Sequence, residues 1–170
     1  GVYRRWGRVP EAAAVASEEA SLLLDAPRLS ALWAEEAGTL RFSPREGFLL
    51  GYMDLVFRRE GRYYLLDWKS NHLGPRPEDY APEALARAMA RERYFLQSHL
   101  YTVALDAWLR LRLPDYRPEE HFGGIVYVFL RGVDPDRGTG DGPYGVFFER
   151  PAPGFVAELS ARLIDTSGLG

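Results

Sequence analysis

Residues 47–74, GFLLGYMDLVFRREGRYYLLDWKSNHLG, decide how this chain is read. Two runs rich in Leu, Val, Phe and Tyr are broken by Glu60-Gly61, a dipeptide suited to a tight turn, so the stretch reads as a β-hairpin. With Arg59 opposite Arg62, Met53 faces Trp68, Leu55 faces Leu66 and Phe57 faces Tyr64 on one side of the ladder. The same register sets Asp54 opposite Asp67, with Lys69 two residues on and on the face of Asp67. Carboxylates with Cβ atoms about 5 Å apart across a ladder repel one another. A positive partner between them resolves the conflict, either a divalent cation or a shared proton. The metal is the reading adopted.

Lysine usage singles out the same place. Of 21 basic residues, 20 are arginine, and Lys69 is the one lysine. An ammonium is compact and adapts to burial where a guanidinium stays a wide planar fork, so Lys69 reads as a residue retained for chemistry. The plain alternative is a lone lysine at a strand end.

The totals exclude several classes. A chain of 170 residues suffices for one domain with its own core. A formal net charge of −3 gives no global attraction to nucleic acid, so any basic footprint is local. Without cysteine there are no disulfides, thiolate metal sites or iron–sulfur clusters. No apolar run approaches a membrane span and no signal peptide is visible, so a cytoplasmic setting with no membrane partner is expected.

Outward from the hairpin, the chain reads as follows. Residues 1–10 are basic and irregular, and Arg4, Arg5 and Arg8 are either a solvated end or a phosphate contact. Helices are expected over Glu11–Leu24 and Leu29–Ala37, and a short strand over Thr39–Phe42. After the hairpin comes a Pro-stiffened loop, Ser70–Pro77, then two helical segments from Glu78 to about Met89 and from about Arg91 to Arg112. In the second, Tyr94, Gln97 and Tyr101 share one face. Gln97 and Tyr101 either reach the acidic face of the hairpin or are a surface polar group and a half-buried ring. Pro114–Glu120 reads as a loop and Gly123–Leu130 as a buried central strand. Arg131–Pro143 reads as a flexible surface loop whose aspartates lack calcium-loop spacing. An edge strand over Tyr144–Glu149 and a helix over Gly154–Leu163 close the chain. The fold expected is α/β, a central mixed sheet flanked by α-helices.

Two carboxylates and a lysine suit metal-assisted phosphodiester hydrolysis. Magnesium takes one or two carboxylates plus substrate phosphates, and a neighbouring lysine steers water or neutralises developing charge. The Trp68 side chain points away, but its backbone carbonyl can ligate where strand pairing ends. A glycosidase using the two aspartates fits the same spacing but leaves Lys69 unexplained.

GYMD (51–54) and, after twelve intervening residues, DWKSN (67–71), together with RYFLQSHLYTVAL (93–105) and HFGGIVYVFLRGVD (121–134), resemble the PD-(D/E)XK nucleases, and within them the C-terminal nuclease domain of RecB-type subunits of RecBCD helicase–nucleases. The resemblance is dense from Gly47 to Asp134 and weak before residue 28. It implies a restriction-endonuclease-like core over 39–165, with 1–27 as a helical extension of a single domain. It implies Mg²⁺, replaceable by Mn²⁺, held by Asp54, Asp67 and the Trp68 carbonyl. Lys69 would be the catalytic lysine, and Gln97 and Tyr101 would match a QxxxY motif that contacts DNA. The activity implied is hydrolysis of DNA strands in break repair and DNA degradation. The partners implied are single-stranded DNA ends, the helicase part of a longer parent chain, and RecC- and RecD-like subunits.

The family pattern also has an upstream histidine and glutamate. No His precedes His72; Glu35, Glu36 and Glu46 are the candidates for the acid. With those ligands missing, the contrasting expectation is a catalytically incomplete module that docks DNA or a subunit. His72 is a stand-in ligand or a loop residue, His99 points off the Gln97 face, and His121 is a strand-edge hydrogen bonder. A phosphate-cradling GxxxxGK[ST] loop is absent, so an ATP-driven motor lies elsewhere.

Overall fold

The computed structural model describes residues 5–6, 47–48, 51–139 and 142–163. The expected helices over 11–24 and 29–37, the strand over 39–42, and Glu35, Glu36 and Glu46 lie outside the described residues. Two short strands, β1 (Arg5–Trp6) and β2 (Gly47–Phe48), pair antiparallel, so residues 5–6 are not irregular as expected.

The hairpin forms in the register expected. Strand β3 (Leu55–Arg59) runs antiparallel to β4 (Arg62–Lys69), with Leu55 opposite Leu66, Phe57 opposite Tyr64 and Arg59 opposite Arg62. Glu60 and Gly61 both take positive φ, 50° and 81°, as a two-residue primed turn requires. The ladder stops at Leu55, however, so Met53 and Asp54 stand outside it.

A 3₁₀ turn (Pro77–Tyr80) leads into α1 (Pro82–Arg91) and α2 (Tyr94–Arg112). Both α1 and the 3₁₀ turn begin on proline, whose missing N–H costs nothing there. The two α-helices meet at Arg93, held in the left-handed region with φ 57°. Within the expected loop, Pro118–His121 makes a one-turn helix, α3, again opened by proline. His121 Nδ1 lies 3.0 Å from the Arg117 amide nitrogen and 3.1 Å from its carbonyl oxygen, so it closes this turn rather than bonding a strand edge.

Strand β5 (Phe122–Phe129) is the central strand expected, parallel to β4 and antiparallel to β8 (Val146–Glu149). The sheet order is β3-β4-β5-β8, a mixed sheet of four strands with β8 at one edge, consistent with a restriction-endonuclease-like core. The expected loop over 131–143 instead carries β6 (Asp134–Thr139), paired with β7 (Gly142–Tyr144). Its Gly, Asp and Pro content hid a ladder carried by backbone groups. A last helix, α4 (Pro153–Leu163), packs on α2. Gly145 separates β7 from β8 with φ 73°; its amide donates to Tyr80 O and its carbonyl accepts from Phe129 N, and a Cβ there would lie 2.4 Å from Val133 N.

The core lies on one face of the sheet. Leu65, Ile125, Tyr127, Phe129 and Phe147 pack beneath Leu85, Met89, Phe95, Leu105 and Leu109 of α1 and α2. Asp67 and Lys69 alternate with Leu65 along β4 and are buried on this same face. The apolar pairs at Leu55–Leu66 and Phe57–Tyr64 occupy the opposite face, where Trp68 is 46% exposed. Among the described residues no helix is long and apolar enough to cross a membrane.

Two buried ionisable groups give stability opposing pH dependences. Burial pushes the Glu149 carboxyl from 4.5 up to about 7, and its Oε2 has no hydrogen-bond partner among the described residues. The native state then keeps a proton that the unfolded chain releases, so stability falls as pH rises from 4.5 through 7. His99, packed against Phe95 and Phe155, is lowered by burial from 6.5 to about 4; it costs stability as pH falls across that interval. Glu149→Gln is expected to raise unfolding free energy at pH 8 by roughly 2 kcal/mol and to change it little at pH 4.5, as read from urea midpoints.

Candidate active site

Strand β4 outlasts β3, and the site is built where that happens. At Leu55 the partner strand ends and the chain turns away, leaving the edge of Trp68 unpaired by a ladder. Asp54 fills part of the gap: its Oδ2 accepts the Trp68 amide at 3.0 Å. The expected face-to-face pairing of Asp54 with Asp67 is therefore replaced by a carboxylate turned onto the backbone of the next residue. The Trp68 carbonyl lies on the same strand edge as its amide, since Lys69 O, one residue on, bonds the other way to Leu130 N.

Asp67 and Lys69 point into the helix layer. Lys69 Nζ lies 2.6 Å from Asp67 Oδ2 and donates to Gln97 Oε1 at 2.8 Å. Gln97 Nε2 donates to the Tyr101 hydroxyl at 3.1 Å, and that hydroxyl donates to Tyr52 O at 2.7 Å. The line Asp67–Lys69–Gln97–Tyr101–Tyr52 thus runs from the strand through one helix face back to the residues that carry Asp54. Gln97 and Tyr101 are half-buried and face Lys69 and Tyr52 rather than lying on the open surface. His72 is exposed in the following loop.

Burial raises the Asp67 carboxyl above the usual carboxylate range; the Lys69 ammonium draws it back only in part, and the Asp54 charge adds to the rise. The two aspartates feel each other even though they are not ladder partners. A cleft of about 660 Å³ opens here, with Lys69, Gln97, Tyr101, Met53, Leu100 and Trp108 among its lining residues.

Two tyrosines were not assigned to Lys69 by sequence reasoning. The Tyr94 ring centroid is 3.9 Å from Nζ and the Tyr127 centroid 5.1 Å. Tyr94 was visible as a neighbour of Gln97 on the helix face; Tyr127, inside an unbroken apolar strand, gave no signal beyond burial.

The donor set fits a hard divalent cation: two carboxylates, one exposed and one buried, and a backbone carbonyl at a strand edge. Among the described residues no group of three or more His, Asp or Glu side chains converges on one point, so the carbonyl and solvent would complete the shell.

No family profile matches the chain. Individual proteins do. It is 50% identical over 118 residues to the RecBCD enzyme subunit RecB of Escherichia coli, covering 69% of this chain and 10% of that one. The chain is a RecB homologue. The RecB of Haemophilus influenzae is 41% identical over 121 residues, 71% of this chain and 10% of its own length. The RecB of Mycobacterium tuberculosis is 42% identical over 123 residues, 71% of this chain and 11% of its own. The chain therefore spans about a tenth of the RecB proteins it matches.

The Asp54 contact is checkable by hydrogen exchange. Asp54→Ala removes the acceptor of the Trp68 amide, and that amide is expected to exchange at least about tenfold faster while those of Leu65 and Ile125 are unchanged. An unaltered Trp68 rate would show that the carboxylate does not hold the strand edge.

Proposed function

We propose that this chain is a metal-dependent DNA nuclease domain, the nuclease portion of a RecB-like subunit. The observation that carries it is the junction at the end of β4, where Asp54, the Trp68 backbone and the buried Asp67–Lys69 pair meet beside Gln97 and Tyr101.

Asp54, Asp67 and the Trp68 carbonyl would hold Mg²⁺ or Mn²⁺. Bound there, the ion would polarise a phosphoryl oxygen and lower the pKa of an attacking water. The chain's own residues do the rest. Lys69 places a positive charge beside Asp67, where it would offset the negative charge that develops on the phosphoryl oxygens, and its burial strengthens that interaction. Gln97 fixes the ammonium through its amide oxygen, while Tyr101 ties the helix to Tyr52 and so sets the approach of Asp54. The cleft along α2 gives a strand of DNA room beside the site.

By the likeness to RecB, the substrate is single-stranded DNA released by unwinding, and the chain works with a helicase portion and RecC- and RecD-like subunits in repair of broken DNA.

Lys69→Met and Asp67→Asn, both close to isosteric, are expected to lower cleavage of single-stranded DNA by at least about 10²-fold with the far-ultraviolet circular dichroism preserved. Calorimetric titration with Mg²⁺ or Mn²⁺ is expected to show binding that Asp54→Ala weakens. Full cleavage in both isosteric variants would reject the nuclease reading. Metal binding indifferent to Asp54 would leave a module that docks DNA or a subunit without cutting.

A further inference from the structure

An ammonium has three N–H donors, and the three nearest neighbours of Lys69 Nζ lie closer than the Tyr127 ring, whose centroid is 5.1 Å away. They are Asp67 Oδ2 at 2.6 Å, Gln97 Oε1 at 2.8 Å and the face of Tyr94 at 3.9 Å to the centroid. The first two are polar atoms on side chains that titrate or rotate. The third is a ring with no freedom to leave. Its hydroxyl donates to Asn71 Oδ1 at 3.0 Å, tying α2 to the loop just past Lys69. Its plane stacks on Tyr127 at 6.2 Å and 13°. Tyr127 is fully buried, and its hydroxyl donates at 3.4 Å to Tyr94 O. The residue before it, Arg93, is the left-handed hinge between α1 and α2, which sets where the first turn of α2 lies. Sheet, loop and hinge together fix the ring.

We propose that Tyr94 is a positioning residue for Lys69: the ring face pins the ammonium by cation–π attraction beside Asp67. Nζ then keeps its place when the Asp67 carboxylate is engaged elsewhere, and one N–H is released toward a phosphate oxygen. An aliphatic side chain would fill the space without holding the charge. The catalytic half of this inference rests on the nuclease reading; the contact itself does not.

Lysine-selective isotope labelling tests the contact directly, because the chain has one lysine and gives one set of side-chain resonances. Over a ring face the Lys69 ε-protons are expected upfield of those of free lysine, and to stay there when Mg²⁺ is added. Tyr94→Phe should keep the upfield position and Tyr94→Leu should lose it. In single-turnover and steady-state assays on single-stranded DNA, Tyr94→Leu should lower kcat about tenfold with KM within about twofold, and Tyr94→Phe should restore kcat to within about threefold of the parent. Free-lysine shifts in the parent chain, or their appearance on adding Mg²⁺, would overturn the proposal. So would a Tyr94→Phe chain that loses as much activity as expected for Tyr94→Leu, since the hydroxyl rather than the ring would then matter. A parent chain that cuts no DNA yet shows the ring shift would sink the nuclease reading and the catalytic half with it, while leaving the contact established.

Discussion

The structure depends on one buried ion pair. Asp67 and Lys69 are 4% and 8% exposed, on a strand that is otherwise core. Removing two charges from water costs several kcal/mol per ion, and their attraction offsets it only when further contacts complete the shell. Those contacts dictate much of the architecture. Gln97 must face the strand, which fixes the rotation of α2. Tyr94 and Tyr127 must bracket the ammonium, which fixes how the first turn of α2 sits over β5. Even so the Asp67 carboxyl stays above its ordinary range, so burial outweighs the help that Lys69 supplies.

The second constraint is where pairing stops. A ladder continued to Met53 would have consumed the Trp68 amide and carbonyl and locked the two carboxylates face to face. Ending β3 at Leu55 instead frees a strand edge, and Asp54 accepts the Trp68 amide from outside the sheet. Tyr101 stabilises this departure by holding Tyr52 O, two residues before Asp54. The parallel pairing of β4 with β5 matters equally: it runs past this point, with Lys69 opposite Phe129, so the strand bearing the lysine does not fray where its other neighbour leaves.

Much of this was legible in the residues. The hairpin register followed from one turn dipeptide and alternating side chains, and the uncharged run at Gly123–Leu130 could only be a buried strand. Asp54, Asp67, Lys69, Gln97 and Tyr101, singled out in the sequence, lie close together around the end of β4. What escaped has a physical reason in each case. The ladder at Asp134–Thr139 is built from residues with poor strand propensity, so its pairing is set by tertiary context. The buried face of the hairpin was obscured because its polar members, Asp67 and Lys69, are the residues that a pattern rule assigns to solvent. His99 was expected off the Gln97 face, and it lies there, but nothing local showed that α4 would cover it with Phe155. Tyr127 reads as core because it is core; its second role exists only through a partner brought across from another element.

These contacts also explain why the chain, so biased toward arginine, has lysine at this one position. The neighbours of Nζ are a carboxylate in its own strand, an amide on α2 and a ring face one turn earlier on that helix, three contacts from two elements. A tetrahedral ammonium sends its three N–H bonds outward in different directions. A guanidinium confines its donors to a plane and extends farther from the backbone, so it would satisfy the carboxylate bidentately and then collide with the ring or abandon the amide. The geometry therefore selects a point charge on a flexible stem, and it does so through the same tyrosine that keeps that stem from wandering.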